Sequence, residues 1–323
     1  MNTPMKKILI TGITGFAGSY LAEHLFSIGQ YEISGTYLFE DSVINVSNVM
    51  RKLHLIKADL SSKKTVFTIV KDVSPSIIFH LAALTSPADS FKNPTETLNN
   101  NISLQVNLLE AVRKFNLLNT KILITSSADI YGRVAKENLP IDEETPLMPT
   151  SPYSISKIAQ DFLGLTYFLT YGLRTIRIRP FNHIGPRQSP NFVVSSFAKQ
   201  IAEIEKGKKE PYLSVGDLET KRDFTDVRDM VSAYILAVEK GKDGEAYNVG
   251  SGVSYKISDI LNKLVSMSSS RIRIRKEKAL FRPNDNPELI CDNSKFTKLT
   301  NWKPKVSIEK TLKDTLDYWR DII

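Results

Sequence analysis

The sequence predicts a doubly wound parallel α/β sheet carrying a smaller mixed lobe, and three observations predict it. From Lys7 to about Arg179, short β-branched runs alternate with longer helical patterns. Nearly all of those runs are continuously apolar rather than alternating, as strands covered on both faces must be. The first run leads directly into a glycine-spaced loop, Thr11-Gly12-Ile13-Thr14-Gly15-Phe16-Ala17-Gly18, that opens a helix.

Taken in order, strands are expected at 8–11, 32–37, 54–57, 77–81, 122–126 and 175–179, with helices at about 17–29, 62–73, 97–115 and 153–171 between them. After Pro180 the regularity breaks. The segment FNHIGPRQSPNF leads into a helix near 193–206, a strand at 212–215, a helix at 227–240 and a strand at 246–249. The patterns at 226–249 are able to return to the first sheet. The run RIRIRK (271–276) alternates apolar with basic residues, as a half-buried strand would. RPNDNP (282–287) reads as a loop, and 307–322 as a helix with Ser307 at its N-cap. The expected division is a dinucleotide-binding Rossmann-type domain of residues 1–180 plus about 222–250. A discontinuous α+β substrate lobe takes about 181–221 and 251–323.

The 323 residues carry 43 Lys plus Arg against 35 Asp plus Glu, a formal charge of +8, with 41% apolar residues. That is an ordinary globular composition, long enough for about two domains. A single cysteine, Cys291, excludes an intramolecular disulfide, and no Cys/His spacing resembles a zinc site, so no metal is expected. A reducing compartment, the cytoplasm, fits. No apolar stretch approaches the ~20 residues of a membrane span. Lys6-Lys7 followed by an apolar run mimics a secretory signal, but the glycine spacing suits a strand, phosphate loop and helix. The basic residues are scattered and lack interleaved aromatics, so neither nucleic acid nor membrane is expected as a partner.

The glycine loop is the strongest local feature. Its residues permit a tight turn and close approach of a pyrophosphate to a helix N-terminus, whose free N–H groups favour anions. A carboxylate at the end of strand two normally binds the adenosine ribose, and an arginine there accepts a 2′-phosphate. Here the segment is Gly35-Thr36-Tyr37-Leu38-Phe39, with neither. Strict NAD use is therefore unsupported, and NADP(H) is favoured over NAD(H). Asp59-Leu60, after strand three, either meets the adenine or caps the following helix.

Tyr153 and Lys157 lie four residues apart on a helix whose start is marked by Ser151-Pro152, so the phenol and the ammonium share one face. A nearby lysine charge lowers a tyrosine pKa toward neutrality, where the phenol can act as acid or base. Strand five runs into Ser126-Ser127-Ala128-Asp129, delivering hydroxyls to the carboxyl edge of the sheet, where such folds bind ligands.

With these residues in hand, the chain resembles the extended short-chain dehydrogenase/reductase family, in its nucleotide-sugar branch. The family's TGxxGxxG loop matches 11–18, its Asp after strand three matches Asp59, its LAA matches Leu81-Ala82-Ala83, and its YxxxK matches Tyr153 and Lys157. Its Asn ahead of helix four falls at Asn101. RPFNHIGPRQS (179–189), FAKQI (197–201), VGDLETKRDFTDVRD (215–229) and the late RP and NWKP are similar to GDP-4-keto-6-deoxy-mannose reductases and GDP-mannose 4,6-dehydratases. The resemblance implies an NAD(P)-dependent enzyme of deoxysugar biosynthesis acting at C4 of a GDP-linked hexose or heptose, and a homodimer. It implies cofactor contacts at Gly12, Thr14, Gly15, Phe16, Ala17, Gly18, Tyr37, Asp59, Leu60, Leu81, Ala82, Ala83, Asn101, Tyr153, Lys157 and Pro180. Ser127 would hold the C4 oxygen and Tyr153 would exchange its proton, with Asp129 beside the substrate. Asn182, Arg222 and Arg282 would bind the sugar nucleotide, the arginines through their planar forks.

A dehydratase must also remove the C5 proton and expel the C6 hydroxyl, and the family places an acidic or hydroxyl residue and then a glutamate after the strand-five Ser/Thr. Here Ala128 and Asp129 stand there. Alanine has no proton to give and aspartate is one methylene shorter, so 4-ketoreduction is favoured. A 4,6-dehydratase, a 4-epimerase and a non-catalytic dinucleotide-binding scaffold remain as alternatives.

Overall fold

The computed structural model describes residues 5–281 and 286–323. Along the chain run β1 (Lys6–Thr11), α1 (Phe16–Ile28), β2 (Tyr31–Tyr37), β3 (His54–Lys57), α2 (Lys63–Val73), β4 (Ile77–His80), α3 (Pro87–Lys92), α4 (Pro94–Lys114), β5 (Lys121–Thr125), α5 (Pro152–Tyr171) and β6 (Arg174–Pro180). Then follow β7 (Asn182–Ile184), α6 (Val193–Glu205), β8 (Tyr212–Val215), β9 (Lys221–Asp226), α7 (Val227–Lys240), β10 (Ala246–Val249), β11 (Ser254–Lys256), α8 (Ile257–Ser266), β12 (Arg273–Lys276), β13 (Glu288–Leu289), α9 (Ser294–Thr300) and α10 (Ile308–Ile322).

Seven strands form one parallel sheet in the order β10-β6-β5-β4-β1-β2-β3. Strand order reverses between β1 and β4, so the loops after these two strands diverge and leave a crevice at the carboxyl edge. Side chains alternate across the sheet into two cores. Leu123, Ile176 and Ile178 pack with α1 and α7, whereas Ile122 and Ile124 pack with α2 and α4. The expected return of 226–249 to the first sheet is seen: α7 covers one face and β10 adds the seventh strand beside β6.

The remaining strands make small sheets. β7, β9, β11 and β13 associate, and β8 pairs with β12. Around them α6, α8 and α10 bury a third apolar cluster that includes Phe197, Leu213, Leu261, Leu316 and Trp319. Ser307 caps α10 as expected, its hydroxyl accepting from the Lys310 amide at 3.3 Å.

Two expectations needed revision. The basic run is a strand, β12, but all four of its residues are exposed, Ile274 included; among the described residues β8 is its one strand neighbour. The helix expected from 97 starts at Pro94 and is preceded by the unexpected α3; each begins with a proline in its first turn, where the missing N–H costs nothing.

Candidate active site

A cleft of about 560 Å³ opens along the carboxyl edge of the seven-stranded sheet. One end is made of backbone. Gly15 begins α1 with no side-chain cap, which leaves the first-turn amides facing the cleft. Gly12 has φ +71°, and a Cβ there would stand 3.1 Å from the Ala82 backbone; at Gly18 a Cβ would fall 2.2 Å from the Gly12 carbonyl. Both glycines are therefore required for the loop to close this tightly. Thr14, Phe16 and Ala17 line the same end, with Tyr37, Asp59, Leu60, Leu81, Ala82 and Ala83 along the adjoining wall. Asp59 is exposed, and its carboxylate accepts from the Ser61 amide at 2.8 Å. The cap of α2 is Ser62 instead, accepting from the Thr65 amide.

The other end is made of side chains. Ser151 and Ser154 form a reciprocal capping box with Pro152 in the first turn, which starts α5 at the right residue to bring Tyr153 and Lys157 onto its cleft-facing side. Tyr153 is 7% exposed and Lys157 4%. Ser127 and Asp129 arrive from the loop after β5, and Pro180 and Asn182 from the junction of β6 and β7.

Burial pushes the Tyr153 phenol up, the charge of Asp129 adds to that, and the Ser127 hydroxyl bonded to it acts in the opposite sense. The Lys157 ammonium donates to the Thr125 carbonyl at 2.8 Å, and its nitrogen stands 5.9 Å from the Tyr153 ring centre. Burial lowers its pKa to about 7. In this arrangement the lysine is itself desolvated, and the burial that lowers its pKa also raises that of the phenol.

Behind Lys157 lies His80. Thr11 Oγ1 accepts from the Leu81 and Ala82 amides at 3.1 Å each and lies 2.9 Å from His80 Nδ1. A hydroxyl that accepts twice has its one proton left to give, so it donates to Nδ1 and the ring proton sits on Nε2. That Nε2 has no partner among the described residues, so this core histidine is satisfied on one side only. Burial, and then the Lys157 charge, lower its pKa to about 3.

Two expected site residues are not brought to the cleft. Asn101 sits inside α4, fully buried, with its amide group bonded to both backbone groups of Leu84 and to Ser156 Oγ at 2.9 Å. It holds Leu84, in the wall of the cleft, and ties α4 to Ser156 on α5. Arg222, on β9, is 8% exposed, and its Nη1 donates to the Lys221 and Asn286 carbonyls. Arg282 lies outside the described residues.

The sequence reading missed the supports. Asp161, one turn beyond Lys157, is fully buried between Arg177 at 2.6 Å and Arg179 at 2.9 Å on β6. Gln105 Nε2 donates to the Gln160 carbonyl while Gln160 Nε2 donates to the Asn101 carbonyl, tying α4 to α5. Also missed were Arg187, Gln188 and Tyr234 in the cleft wall. The first two stand in the quoted GPRQS motif; Tyr234 lies within an apolar helical pattern that carries no such mark.

Comparison with known proteins agrees with this geometry. A family model described as GDP-mannose 4,6 dehydratase matches residues 9–315. GDP-6-deoxy-D-mannose reductase of Pseudomonas aeruginosa is 37% identical over 245 residues, covering 76% of this chain and 80% of that protein. GDP-mannose 4,6 dehydratase 1 of Arabidopsis thaliana is 31% identical, covering 97% of this chain and 90% of the other. Among solved structures, RMD from Pseudomonas aeruginosa complexed with NADPH superposes with a TM-score of 0.85 at 30% identity, covering 99% and 100% of the two chains. UDP-glucose 4-epimerase of Thermotoga maritima with UDP-glucose gives 0.88 at 29% identity, covering 98% and 99%. Both in sequence and in structure, then, the chain belongs to the GDP-mannose 4,6-dehydratase family, within the nucleotide-sugar branch of the extended short-chain dehydrogenases/reductases.

Proposed function

We propose that this enzyme reduces the C4 ketone of a GDP-linked 4-keto-6-deoxyhexose, using a nicotinamide dinucleotide. The observation that carries the reading is the meeting of Ser127 and Tyr153 in one cleft with Ala128, buried and unable to give or take a proton, beside them. The cofactor fits the residues present: the uncapped N-terminus of α1 suits a diphosphate, and the Gly12–Gly18 contact leaves no side chain to block it. When bound, the reduced nicotinamide supplies the hydride that C4 accepts. Tyr153 gives its proton to the C4 oxygen as negative charge develops there. Burial and Asp129 keep that phenol protonated, the state an acid needs. Ser127 donates a hydrogen bond to the same oxygen. Lys157, anchored on the Thr125 carbonyl, holds the ribose side of the site in register with Tyr153.

NADP(H) is favoured over NAD(H), because no carboxylate stands at Tyr37-Leu38-Phe39 and Glu40, next in line, is paired with Lys57 at 2.9 Å. The NADPH of the Pseudomonas structure supports the same preference. The dinucleotide domain is residues 1–180 with about 222–250, and the substrate lobe is 181–221 with 251–323. Asn182, in the cleft lining, contacts the sugar nucleotide, and Arg222 and Arg282 contribute to the same recognition. A cytoplasmic site of action fits the single, buried, unpaired Cys291; among the described residues no helix is long and apolar enough to cross a membrane. The enzyme acts as a homodimer. On α5, Ile155, Phe162 and Leu169 recur every seven residues on one face and are 46, 45 and 71% exposed, an apolar stripe suited to a second copy. Sedimentation of a monomer at micromolar concentration would refute that assembly.

Asp129 favours one other reading. Its carboxylate lines the cleft near Tyr153, where a dehydratase keeps a second acid or base. Purified protein given GDP-4-keto-6-deoxy-mannose with NADPH or NADH, and in parallel GDP-mannose with NADP, separates the two. Nicotinamide oxidation with the keto sugar is expected; keto-sugar formation from GDP-mannose without net cofactor change would identify a dehydratase instead.

A further inference from the structure

Two hydroxyls in the floor of the cleft have no hydrogen-bond partner among the described residues: Tyr234 on α7 and Thr125 at the end of β5. Both lie on the same face of the sheet. Leu123 packs with α1 and α7 while Ile122 and Ile124 pack on the other side, so alternation along β5 directs Thr125 towards α7 as well. Tyr234 has no measurable exposure, and its ring is held by the same apolar cluster. A phenylalanine would fill that space equally well. Leaving a buried phenolic hydroxyl unpaired costs about 1–3 kcal/mol, so packing gives no reason for the oxygen.

The position of the pair suggests what it meets. Both hydroxyls line the same cleft as the glycine loop at Gly12–Gly18 and the Tyr153–Lys157 pair. Thr125 carries the carbonyl that holds Lys157, and Tyr234 is near enough to Tyr153 that a negative charge on one phenol disfavours ionisation of the other. The groups expected to touch the sugar, Ser127, Asp129 and Asn182, reach the cleft from the loops above the strand ends instead. A dinucleotide whose diphosphate rests on α1 and whose ribose rests at Lys157 brings its nicotinamide ring to this floor. The ring's carboxamide has one acceptor and two donors, and two hydroxyls that can each donate and accept satisfy it from below. A ring so gripped can present one face only to C4.

We propose, resting on the reading of the enzyme as nicotinamide-dependent, that Tyr234 is a positioning residue for the nicotinamide carboxamide, with Thr125 as its companion. The test is binding, read by nucleotide fluorescence without any sugar, together with thermal unfolding of the ligand-free protein. Tyr234→Phe is expected to weaken NADPH about 5- to 20-fold, to leave 2′,5′-ADP, which lacks the nicotinamide, within 2-fold, and to leave the ligand-free Tm unchanged or raised. Thr125→Val is expected to act in the same sense, more weakly, and keeps the question answerable if the first variant is insoluble. Unchanged NADPH affinity in both variants would mean that the hydroxyls are served by solvent and would overturn the proposal. Equal weakening of NADPH and 2′,5′-ADP with a lowered Tm would overturn it in favour of a purely structural role. A wild-type protein that binds neither NADPH nor NADH would refute the underlying reading as well, and so is distinguishable from both.

Discussion

The two ends of the cleft are built on different principles. At the Gly12–Gly18 end the recognising groups are backbone amides, and what the sequence must supply is the lack of side chains; at the Tyr153 end they are side chains whose placement depends on residues far along the chain. A backbone site is specified locally, within eight residues. The side-chain site needs α5 at the right height and rotation, and that is set by Asn101 and Gln105 on α4 and by Arg177 and Arg179 on β6.

The contrast is broken most sharply at Tyr153. Tyr153→Phe is expected to lower kcat by about 10²–10⁴-fold, the usual worth of a positioned acid, while NADPH affinity stays within about 3-fold. A variant retaining most of its turnover would remove Tyr153 as the acid.

Asp161→Asn probes the support rather than the chemistry. It leaves two buried guanidiniums without their carboxylate, so urea unfolding should report a loss of about 3–5 kcal/mol. Where the protein remains folded, the fall in kcat should be far smaller than for Tyr153→Phe. A stable variant with a collapsed kcat would make Asp161 part of the chemistry instead.

A third effect is read per unit of pH. His80 titrates at about 3 when folded against 6.5 when free, so both states are neutral above 6.5 and stability is complete there. As pH falls below 6.5 the unfolded chain takes up a proton that the folded chain refuses, a loss of up to about 1.4 kcal/mol per unit that continues towards pH 3. His80→Asn, which retains an acceptor for Thr11, should flatten this part of the pH profile of the urea midpoint; an unchanged slope would assign it to carboxylates. Lys157, lowered to about 7 from 10.5, acts in the same sense at higher pH, and its stabilising deficit shrinks only as pH rises from 7 towards 10.5.

The same division explains what could be read from the chain. The strand, glycine loop and helix at 8–28 are legible because the constraint is local: a tight turn admits glycine and little else. Tyr153 and Lys157 are legible because helical spacing fixes their common face. The inward turn of Asn101 is not legible, because a polar residue near a cleft looks the same in sequence whether it turns outward or holds Leu84 from within. The surroundings of Arg222 are hidden for a similar reason, since which carbonyls its Nη1 meets depends on how β9 meets the chain at Asn286. Among the described residues β12 has no strand neighbour beyond β8, which no alternation within six residues can reveal. Tyr234 is silent because a phenol on an apolar helix face is ordinary core until the end of β5 is seen beside it.

The joint between the large sheet and the small one has a mechanical consequence. β6 ends at Pro180 and β7 begins at Asn182, while β9 ends at Asp226 and α7 begins at Val227; β7 and β9 are themselves paired, Asn182 to Phe224 and Ile184 to Asp226. These two chain crossings are one residue or less in length and are riveted together by a ladder, so the stretch of cleft wall at Pro180 and Asn182 is held in place by the joint itself, and a ligand meeting it there finds its order already made.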